Sequence, residues 1–318
     1  MSHKHPIVAV TGSSGAGTTT VRHAFRDIFR RENITAVFVE GDSFRRFDRH
    51  EMKRVVDESI AAGRPISHFG PEANLFDKME ELFRTYAETG SGLVRHYVRN
   101  DESELYGQEA GTFTPWETIP PGSDLLFYEG LHGGVVANTW TRRKMSPPHN
   151  PLVIEERRRR EQAGNKGVDV AQWVDLLIGV VPIVNLEWIQ KIHRDVARKN
   201  RTPESVTATI LRRMRDYIHF IVPQFSLTDI NFQRVPLVDT SNPFIARDIP
   251  TPDESIVVIR FREPKKFHFP PLLRQIQGSF MSRPNTMVAP GGEMANALEI
   301  ICTPIIHELV ERSRSVEI

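Results

Sequence analysis

The chain has 318 residues, a formal net charge of +1 and 39% hydrophobic residues. These values are typical of a folded protein with a sizeable core, and they argue against disorder and against a strongly basic nucleic-acid-binding surface. The single cysteine, Cys302, excludes an internal disulfide and a zinc cluster built from cysteines. Because no secretory signal and no apolar run of membrane-spanning length occurs, we expect a cytoplasmic protein that binds neither membranes nor nucleic acids.

A glycine-rich loop near the start of the chain lies between a predicted strand at 8–10 and a predicted helix that begins near 20. Strand, loop and helix in this order typically bind phosphate, because backbone N–H groups and the positive helix end face the anion. The usual pattern has a lysine where this chain has Thr18, so a cation must come from elsewhere. The predicted nucleotide-binding residues are Gly12, Ser13, Ser14, Gly15, Ala16, Gly17, Thr18, Thr19 and Thr20.

The second predicted strand, 35–39, leads directly into Glu40-Gly41-Asp42 and three arginines at 45, 46 and 49. Catalytic groups in open α/β sheets lie beyond the carboxyl ends of strands, which is the expected position of Asp42. A carboxylate followed by arginines suits a site that deprotonates a hydroxyl and holds a phosphorylated substrate. A solvated loop with internal charge pairs explains the pattern equally well. Helices are predicted at 51–62 and 80–89.

The next buried strand, 124–130, ends in Glu129 and follows an irregular segment at 90–122, for which a hairpin and a lid are one interpretation. Behind a phosphate loop, such an acid typically holds Mg²⁺, with Thr19 as the second protein oxygen. The stretch 141–167 is rich in basic residues and proline. It predicts a solvated surface insertion, with a docking surface for an acidic partner as the alternative.

The second half of the chain predicts strands at 176–184, 236–240 and 255–261, a helix that carries Lys191, Arg194 and Asp195 on one polar face, a helix from Thr202, and a closing helix at 295–312. Lys191 is a candidate for the cation that the phosphate loop lacks. Strands alternating with helices indicate an α/β layer fold with a largely parallel sheet.

Several motifs together resemble the proteobacterial phosphoribulokinases, which phosphorylate ribulose 5-phosphate in the Calvin cycle. They are TGSSGAGTTT, EGDSFRRF, SHFGPEAN, LLFYEGLHG, NLEWIQKIHRD, ILRRM and VPQFSLTDINFQRVPLVDTSNPF. The resemblance covers nearly the whole chain outside about 137–170. It implies one domain over 1–318 with a three-layer fold like that of adenylate kinase and other P-loop NTPases, in which the sheet is mostly parallel and partly mixed.

The resemblance also implies roles for individual residues. Asp42 corresponds to the catalytic base, Glu129 to the acid that acts on Mg²⁺, Lys191 to the lysine that serves the ATP phosphates, and Asp195 to a further position needed for activity. The implied sugar-phosphate contacts are Arg45, Arg49, Tyr97, Arg99, Arg194 and Lys199. The implied effector arginines are Arg31, Arg212, Arg213, Arg260 and Arg283. Such enzymes are typically octamers that are activated by NADH and inhibited by AMP.

Three positions depart from the family pattern: Arg45 and Arg99 replace histidines, and Lys199 replaces an arginine. Arginine binds phosphate but cannot shuttle a proton as histidine does. Two alternatives to a phosphoribulokinase remain open from the sequence. One is a uridine- or pantothenate-type kinase, and the other is a nucleotide-sensing regulator that binds ATP without phosphoryl transfer.

Overall fold

The structure is a computed structural model that describes residues 4–12, 18–63, 65–136, 168–199 and 201–316. The strands are β1 (Ile7–Gly12), β2 (Ala36–Glu40), β3 (Leu93–Val94), β4 (Glu117–Thr118), β5 (Leu125–Gly130), β6 (Leu176–Pro182), β7 (Ile230–Pro236), β8 (Ser255–Phe261), β9 (Phe280–Arg283) and β10 (Thr286–Pro290).

The helices of the described ranges follow the same order. They are α1 (Thr18–Arg31), α2 (Arg49–Ala61), α3 (Phe76–Thr89), α4 (Ser103–Tyr106), α5 (Val184–Lys199), α6 (Pro203–Asp216), α7 (Val222–Phe225), α8 (Phe269–Gln275) and α9 (Met294–Val316). A π-helical turn at Tyr217–Ile221 joins α6 to α7. The predicted basic insertion at 141–167 lies outside the described residues, and the single domain over 1–318 stays a prediction.

Eight of the described strands form one sheet in the order β2-β5-β1-β6-β7-β8-β10-β9. The pairs from β2 to β7 are parallel, whereas β7–β8, β8–β10 and β10–β9 are antiparallel. The prediction of an α/β fold with a mostly parallel, partly mixed sheet is therefore confirmed. The carboxyl ends of β1, β2, β5 and β6 meet at one edge, which we call the carboxyl edge.

Two hydrophobic clusters cover the two faces of this sheet. Val8 and Val10 of β1 belong to the cluster that contains α1 and α9 residues, whereas Ile7 and Ala9 belong to the cluster that contains α3 residues. All four side chains are at most 1% exposed, as expected of a central parallel strand with helices on both sides. Helix, sheet and helix are the three predicted layers.

Helices α5 and α6 pack on each other through a third, smaller cluster of Ile192, Val206 and Ile210. The predicted start of α6 is confirmed, because the Thr202 hydroxyl accepts a hydrogen bond from the Ser205 backbone N–H at 3.2 Å and Pro203 occupies the first turn. Lys191 and Arg194 of α5 and Arg213 of α6 line one pocket together with Arg45, which follows β2.

The strand predicted at 236–240 is wrong. The observed strand is β7, which starts at Ile230 and ends at Pro236. It buries Ile230 and Phe232 in alternation, pairs with β6 over 230–234 and pairs with β8 along its whole length. The sequence also missed β9 and β10. Within 90–122, β3 and β4 form the small hairpin considered in the sequence interpretation. In the described part of the chain, no helix combines the length and apolar character needed to cross a membrane.

Candidate active site

The last residues of β2, β5 and β1 lie side by side at the carboxyl edge. Glu129 is the register partner of Glu40 on one side and of Val10 on the other, one position before Thr11 and two before Gly12. The strand β5, which carries Glu129 and which we call the acid strand, therefore ends beside β1, the strand that leads into the phosphate loop. Because adjacent strands are ~4.8 Å apart, Glu129 is close to both neighbouring strand ends.

Two glycines let these strand ends approach closely. A Cβ at Gly41 would lie 2.9 Å from the Gly130 Cα and 2.5 Å from the Tyr128 hydroxyl oxygen, and a Cβ at Gly130 would lie 2.7 Å from the Gly41 Cα. Neither position has room for a larger residue. The contact holds Asp42, which follows Gly41, near Glu129, which precedes Gly130.

The phosphate loop begins at Gly12, where a Cβ would lie 2.5 Å from the Val180 carbonyl oxygen of β6. The glycine of the motif is thus required by strand packing in this chain. The loop returns at Thr18, the first residue of α1, so the helix N-terminus faces the carboxyl edge as predicted. Ser13, Ser14, Gly15, Ala16 and Gly17 lie outside the described residues, as do the side chains of Thr18, Thr19 and Thr20.

Asp42 lies in a 3-10 turn, Gly41–Phe44, directly after β2. Its Oδ1 forms an ion pair with an Arg45 terminal nitrogen at 2.7 Å, and 34% of its side chain is exposed. The Arg45 guanidinium also lies over the Tyr97 ring, 4.9 Å from its centroid. The candidate base is therefore oriented by an arginine that is itself fixed by a cation–π contact.

Asp195 is a buried carboxylate surrounded by cations. Its side chain is 1% exposed, and its oxygens lie 2.9 Å from Lys191 Nζ, 3.3 Å from Arg194 Nε and 3.9 Å from an Arg201 terminal nitrogen. Lys191, Arg194 and Asp195 share one face of α5, as the sequence predicted. Asp195 thus acts as an anchor that orients three cations.

Burial lowers the pKa of Lys191 to about 8 from its ordinary 10.5, although the hydrogen bond and charge of Asp195 act in the opposite direction. A neighbouring cation, Arg213, contributes to the decrease. The lysine is therefore a cation whose charge is sensitive to bound phosphate, since a nearby anion raises a lysine pKa.

A pocket of about 720 Å³ opens between α2, α5 and α6. Lysine and arginine outnumber the acids in its wall: the basic residues are Arg45, Arg49, Lys53, Lys191, Arg194, Arg201 and Arg213, and the acids are Asp48, Asp57, Glu187 and Asp195. Four predicted sugar-phosphate residues, Arg45, Arg49, Tyr97 and Arg194, are among the lining residues. Such a wall suits a phosphorylated, polar substrate.

Three basic residues of this pocket had not been predicted to bind substrate. Arg201 and Lys53 carried no recognisable pattern, and Arg213 was grouped with the effector arginines. Burial and then the neighbouring Arg212 lower the pKa of Arg213 to about 10, so this cation lies in an environment that favours an anion. The side chain of Lys199 is outside the described structure.

Arg99, also predicted to contact substrate, forms an ion pair at the end of β2, and its substrate contact stays a prediction. Its terminal nitrogens lie 3.2 and 2.6 Å from the two Glu40 carboxylate oxygens, and Arg22 of α1 lies 2.5 Å from the same carboxylate. Burial raises the pKa of Glu40, but the charges of Arg99 and Arg22 outweigh it and lower that pKa overall. Sequence reasoning missed this pair because Arg22 and Arg99 are distant from Glu40 along the chain.

The predicted effector arginines lie in three different places. Arg31 contacts Glu299 of α9 at 3.0 Å. Arg260 of β8 and Arg283 of β9 lie on either side of β10, where both are paired in register with Thr286. Arg212 and Arg213 belong to α6, and Arg213 lines the pocket described above. The effector role of these five arginines stays a prediction.

The carboxylates at the edge fit the chemistry of Mg²⁺. Glu129 offers hard oxygen donors beside the strand that leads into the phosphate loop, and Mg²⁺ in kinases is held by one or two carboxylates and the substrate phosphates. No group of three or more histidine, cysteine, aspartate and glutamate side chains suited to a metal occurs among the described residues. The donors present match a metal that arrives with a nucleotide.

Comparison with known proteins identifies the family. The family model described as Phosphoribulokinase / Uridine kinase family matches residues 7–146 and 161–241. The chain belongs to this family.

Its relatives match along almost the whole chain. It is 53% identical over 316 residues to a chromosomal phosphoribulokinase of Cupriavidus necator, and this alignment covers 99% of each chain. It is 52% identical to a phosphoribulokinase of Nitrobacter vulgaris, with the same coverage. The solved structure of the phosphoribulokinase from Rhodobacter spheroides is similar with a TM-score of 0.82, 50% identity and coverage of 98% of this chain and 99% of that one. This likeness agrees with the P-loop kinase fold predicted from the sequence.

Proposed function

We propose that this protein transfers the γ-phosphoryl group of ATP to the 1-hydroxyl of ribulose 5-phosphate, forming ribulose 1,5-bisphosphate for carbon dioxide fixation in the Calvin cycle. The observation that carries the proposal is the cationic pocket beside Asp42, in a chain 53% identical over nearly its full length to a phosphoribulokinase. This activity is that of a kinase that transfers a phosphoryl group to an alcohol. Cytoplasmic location stays a prediction.

The nucleotide binds at the loop between β1 and α1. Backbone N–H groups of the Gly12–Thr19 segment and the N-terminus of α1 hold its phosphates. Glu129, together with the Thr19 hydroxyl, would hold Mg²⁺, which neutralises negative charge on the phosphates when it is bound. Lys191 supplies the cation that Thr18 does not, and it offsets charge that develops during transfer.

Asp42 removes the proton of the attacking hydroxyl. Arg45 contacts Oδ1 at 2.7 Å and fixes the carboxylate, so Oδ2 serves as the acceptor of the hydroxyl proton. Because Arg45 replaces the histidine found in the resembled family, this orientation comes from a permanent cation. Asp195 supports the reaction by orienting Lys191 and Arg194.

The phosphate at the far end of the sugar lies among the pocket cations. Arg49, Arg194 and Arg201 are the proposed contacts, since arginine donates two parallel hydrogen bonds to phosphate. An Arg201 terminal nitrogen is braced by the Ser205 hydroxyl and the Thr209 hydroxyl, both at 2.8 Å. Arg201 thereby compensates for the departure at Lys199.

NADH activation, AMP inhibition and assembly into a homo-oligomer, an octamer by resemblance, are proposed as the regulation of this activity. The ion pair of Arg31 with Glu299 joins α1 to α9, Arg260 and Arg283 flank β10, and none of these three arginines is among the lining residues of the pocket. Effectors there would act through the sheet or through a neighbouring subunit. Light scattering of the purified enzyme measures the oligomer directly.

Release of ADP from Mg-ATP tests the proposal, with ribulose 5-phosphate, uridine and pantothenate as separate acceptors. Each acceptor is measured with and without NADH and AMP. Turnover with ribulose 5-phosphate alone supports the proposal, and turnover with uridine or pantothenate alone contradicts it. ATP binding without turnover on any acceptor would favour the nucleotide-sensing alternative.

A further inference from the structure

A buried amide lies between the phosphate loop and the acid strand. Gln224 of α7 belongs to the long motif 222–244, which had no mechanistic meaning in the sequence, and it is 2% exposed. Its Nε2 donates to the Leu131 carbonyl oxygen at 2.8 Å and to the Phe220 carbonyl oxygen at 2.6 Å. Its Oε1 accepts from the Gly134 backbone N–H at 3.0 Å and from the Thr11 hydroxyl at 3.1 Å.

These contacts fix the orientation of the amide. Two carbonyl oxygens require the NH₂ group, and the Gly134 N–H requires the oxygen, so a flipped Gln224 would place like atoms against each other at three contacts. All four hydrogen-bonding positions of the side chain are used. A buried amide satisfied in this way is rigid, and losing any partner would leave a buried polar atom without its hydrogen bond.

The residues that Gln224 contacts belong to the parts of the proposed nucleotide site. Thr11 directly precedes Gly12, where the phosphate loop begins, and its single hydroxyl proton is shared between Gln224 Oε1 and the Leu131 carbonyl oxygen, both at 3.1 Å. Leu131 lies two residues after Glu129, the end of the acid strand. One side chain thus connects the start of the loop to the loop that follows the acid.

The same amide connects to the substrate pocket. Phe220 lies in the π-helical turn Tyr217–Ile221 that continues α6, and α6 carries Arg213 of the pocket wall. The turn is held from its other end, because the Tyr217 hydroxyl donates to Glu187 of α5 at 2.9 Å. π-Helical insertions are frequent at functional sites, where they redirect a few side chains without ending the helix.

We propose that Gln224 is a positioning residue that fixes the spacing of the phosphate loop, the Glu129 strand end and the α6 helix. It acts through Thr11 and Leu131 and contacts neither substrate. The inference rests on the nucleotide site proposed above. Misplacement of reacting groups by ~1 Å costs on the order of 10²-fold in rate, so loss of this amide affects turnover beyond its effect on stability.

Gln224→Glu tests the proposal with almost no change in shape. Its carboxylate can accept from Thr11 and Gly134, but it cannot donate to the carbonyl oxygens of Leu131 and Phe220. We expect kcat to fall about 10–100-fold and the Kd of Mg-ATP to rise, while the KM of ribulose 5-phosphate changes less than threefold. Thr11→Val, which removes the shared hydroxyl with little change of volume, gives a smaller change in the same direction.

Ser313→Ala is the matched control. It removes one hydrogen bond of 2.6 Å, from the Ser313 hydroxyl to the Lys4 carbonyl oxygen, before the amino end of β1. It should lower Tm without changing kcat or the Kd of Mg-ATP. If Gln224→Glu lowers Tm and leaves both kinetic quantities normal, the amide is only structural and the proposal is overturned.

Two further outcomes keep the test decisive. If Gln224→Glu does not fold, Thr11→Val decides, and normal kcat and nucleotide affinity in that variant contradict the proposal. If the wild type shows no turnover with ribulose 5-phosphate, the proposed substrate fails. The Kd of Mg-ATP still tests the role of Gln224 in that case. Weaker binding of Mg-ATP by both variants supports the proposal, and unchanged binding contradicts it.

Discussion

In the antiparallel half of the sheet, which runs from β7 to β9 through β8 and β10, arginines stabilise the fold through hydrogen bonds to backbone carbonyls. Arg260 donates to the Phe225 carbonyl oxygen at 2.7 Å, and Arg262 donates to the Leu227 carbonyl oxygen at 2.8 Å. These guanidinium groups satisfy backbone acceptors in the connection between α7 and β7. Their donors replace hydrogen bonds that a regular element would supply.

At the carboxyl edge of the parallel half, arginines contact carboxylates. Arg45 and Arg194 contact the carboxylates of Asp42 and Asp195, and both line the open pocket. A guanidinium has five N–H donors, so an arginine in a pocket wall can hold a carboxylate and an anion together. The comparison teaches that position decides the role: Arg45 and Arg194 line the pocket, whereas Arg262 directs its donors to the Leu227 carbonyl oxygen and the Asp229 carboxylate and stabilises the fold.

Replacing the candidate base has the largest expected effect on the carboxyl edge. Asp42→Asn should lower kcat ~10²–10⁴-fold, because the amide keeps the shape but cannot take the hydroxyl proton. Steady-state kinetics with saturating Mg-ATP measure the change. Asp27→Asn is the matched control, since Asp27 is 52% exposed and pairs only locally with Arg30. Near-normal turnover of Asp42→Asn would rule out general-base action.

A matched pair of arginine variants addresses the comparison directly. Arg194→Gln should raise the KM of ribulose 5-phosphate about 10–100-fold with little change in Tm, since a charge-assisted hydrogen bond contributes roughly 1.5–3 kcal/mol. Arg262→Gln should lower Tm and leave that KM unchanged. Thermal melts and kinetics on both proteins provide the test. Exchanged phenotypes would show that the two classes of arginine are assigned the wrong way round.

The buried lysine predicts a pH dependence. Burial lowers the pKa of Lys191 to about 8, so the free enzyme loses this cation as pH rises above that value. We expect kcat/KM for ATP to fall about tenfold per pH unit above 8, and the decline in kcat to begin at higher pH, because bound phosphate raises the pKa. Lys191→Arg should remove the decline, as arginine stays charged. An unchanged decline in that variant would assign the titration to another group.

Arg201 has the smallest expected effect, because its distance to Asp195 is 3.9 Å and hydroxyl groups hold one of its nitrogens. Arg201→Gln should raise the KM of ribulose 5-phosphate about 3–10-fold, corresponding to roughly 1 kcal/mol for a solvent-accessible contact. Unphosphorylated ribulose should show no change. Equal losses with both acceptors would mean that Arg201 does not contact the phosphate.

The regular elements of the parallel half were predicted well because their signals are local. The run from Ile7 to Val10 is apolar throughout, and the periodic face of α1 places Phe25 and Ile28 in the core with 0% exposure. The same holds for one strand of the antiparallel half, β8, which alternates buried and half-buried positions and was predicted with the observed bounds, 255–261. Periodicity of this kind is a property of neighbouring residues alone.

The edge of the antiparallel half was not predicted because its strands carry weak signals. The strand β9 is four residues long and mostly exposed, and β10 is flanked by turn residues, so neither has a long apolar or alternating run. The strand β10 pairs with β8, which is distant along the chain, and β9 pairs in turn with β10. In the same way, β7 is buried between β6 and β8, and this position outweighed the local pattern at 236–240.

The sequence by itself determined the phosphate loop, the acids that end β2 and β5, and the cationic face of α5, because each is a short motif beside a strongly patterned element. Only the tertiary structure decided which of these groups meet. It placed Arg201 and Arg213 in the pocket, paired Arg99 with Glu40 and inserted Gln224 between the phosphate loop and the acid strand. The physical reason is that ion pairs and buried hydrogen bonds join residues distant along the chain, and no local pattern encodes their partners.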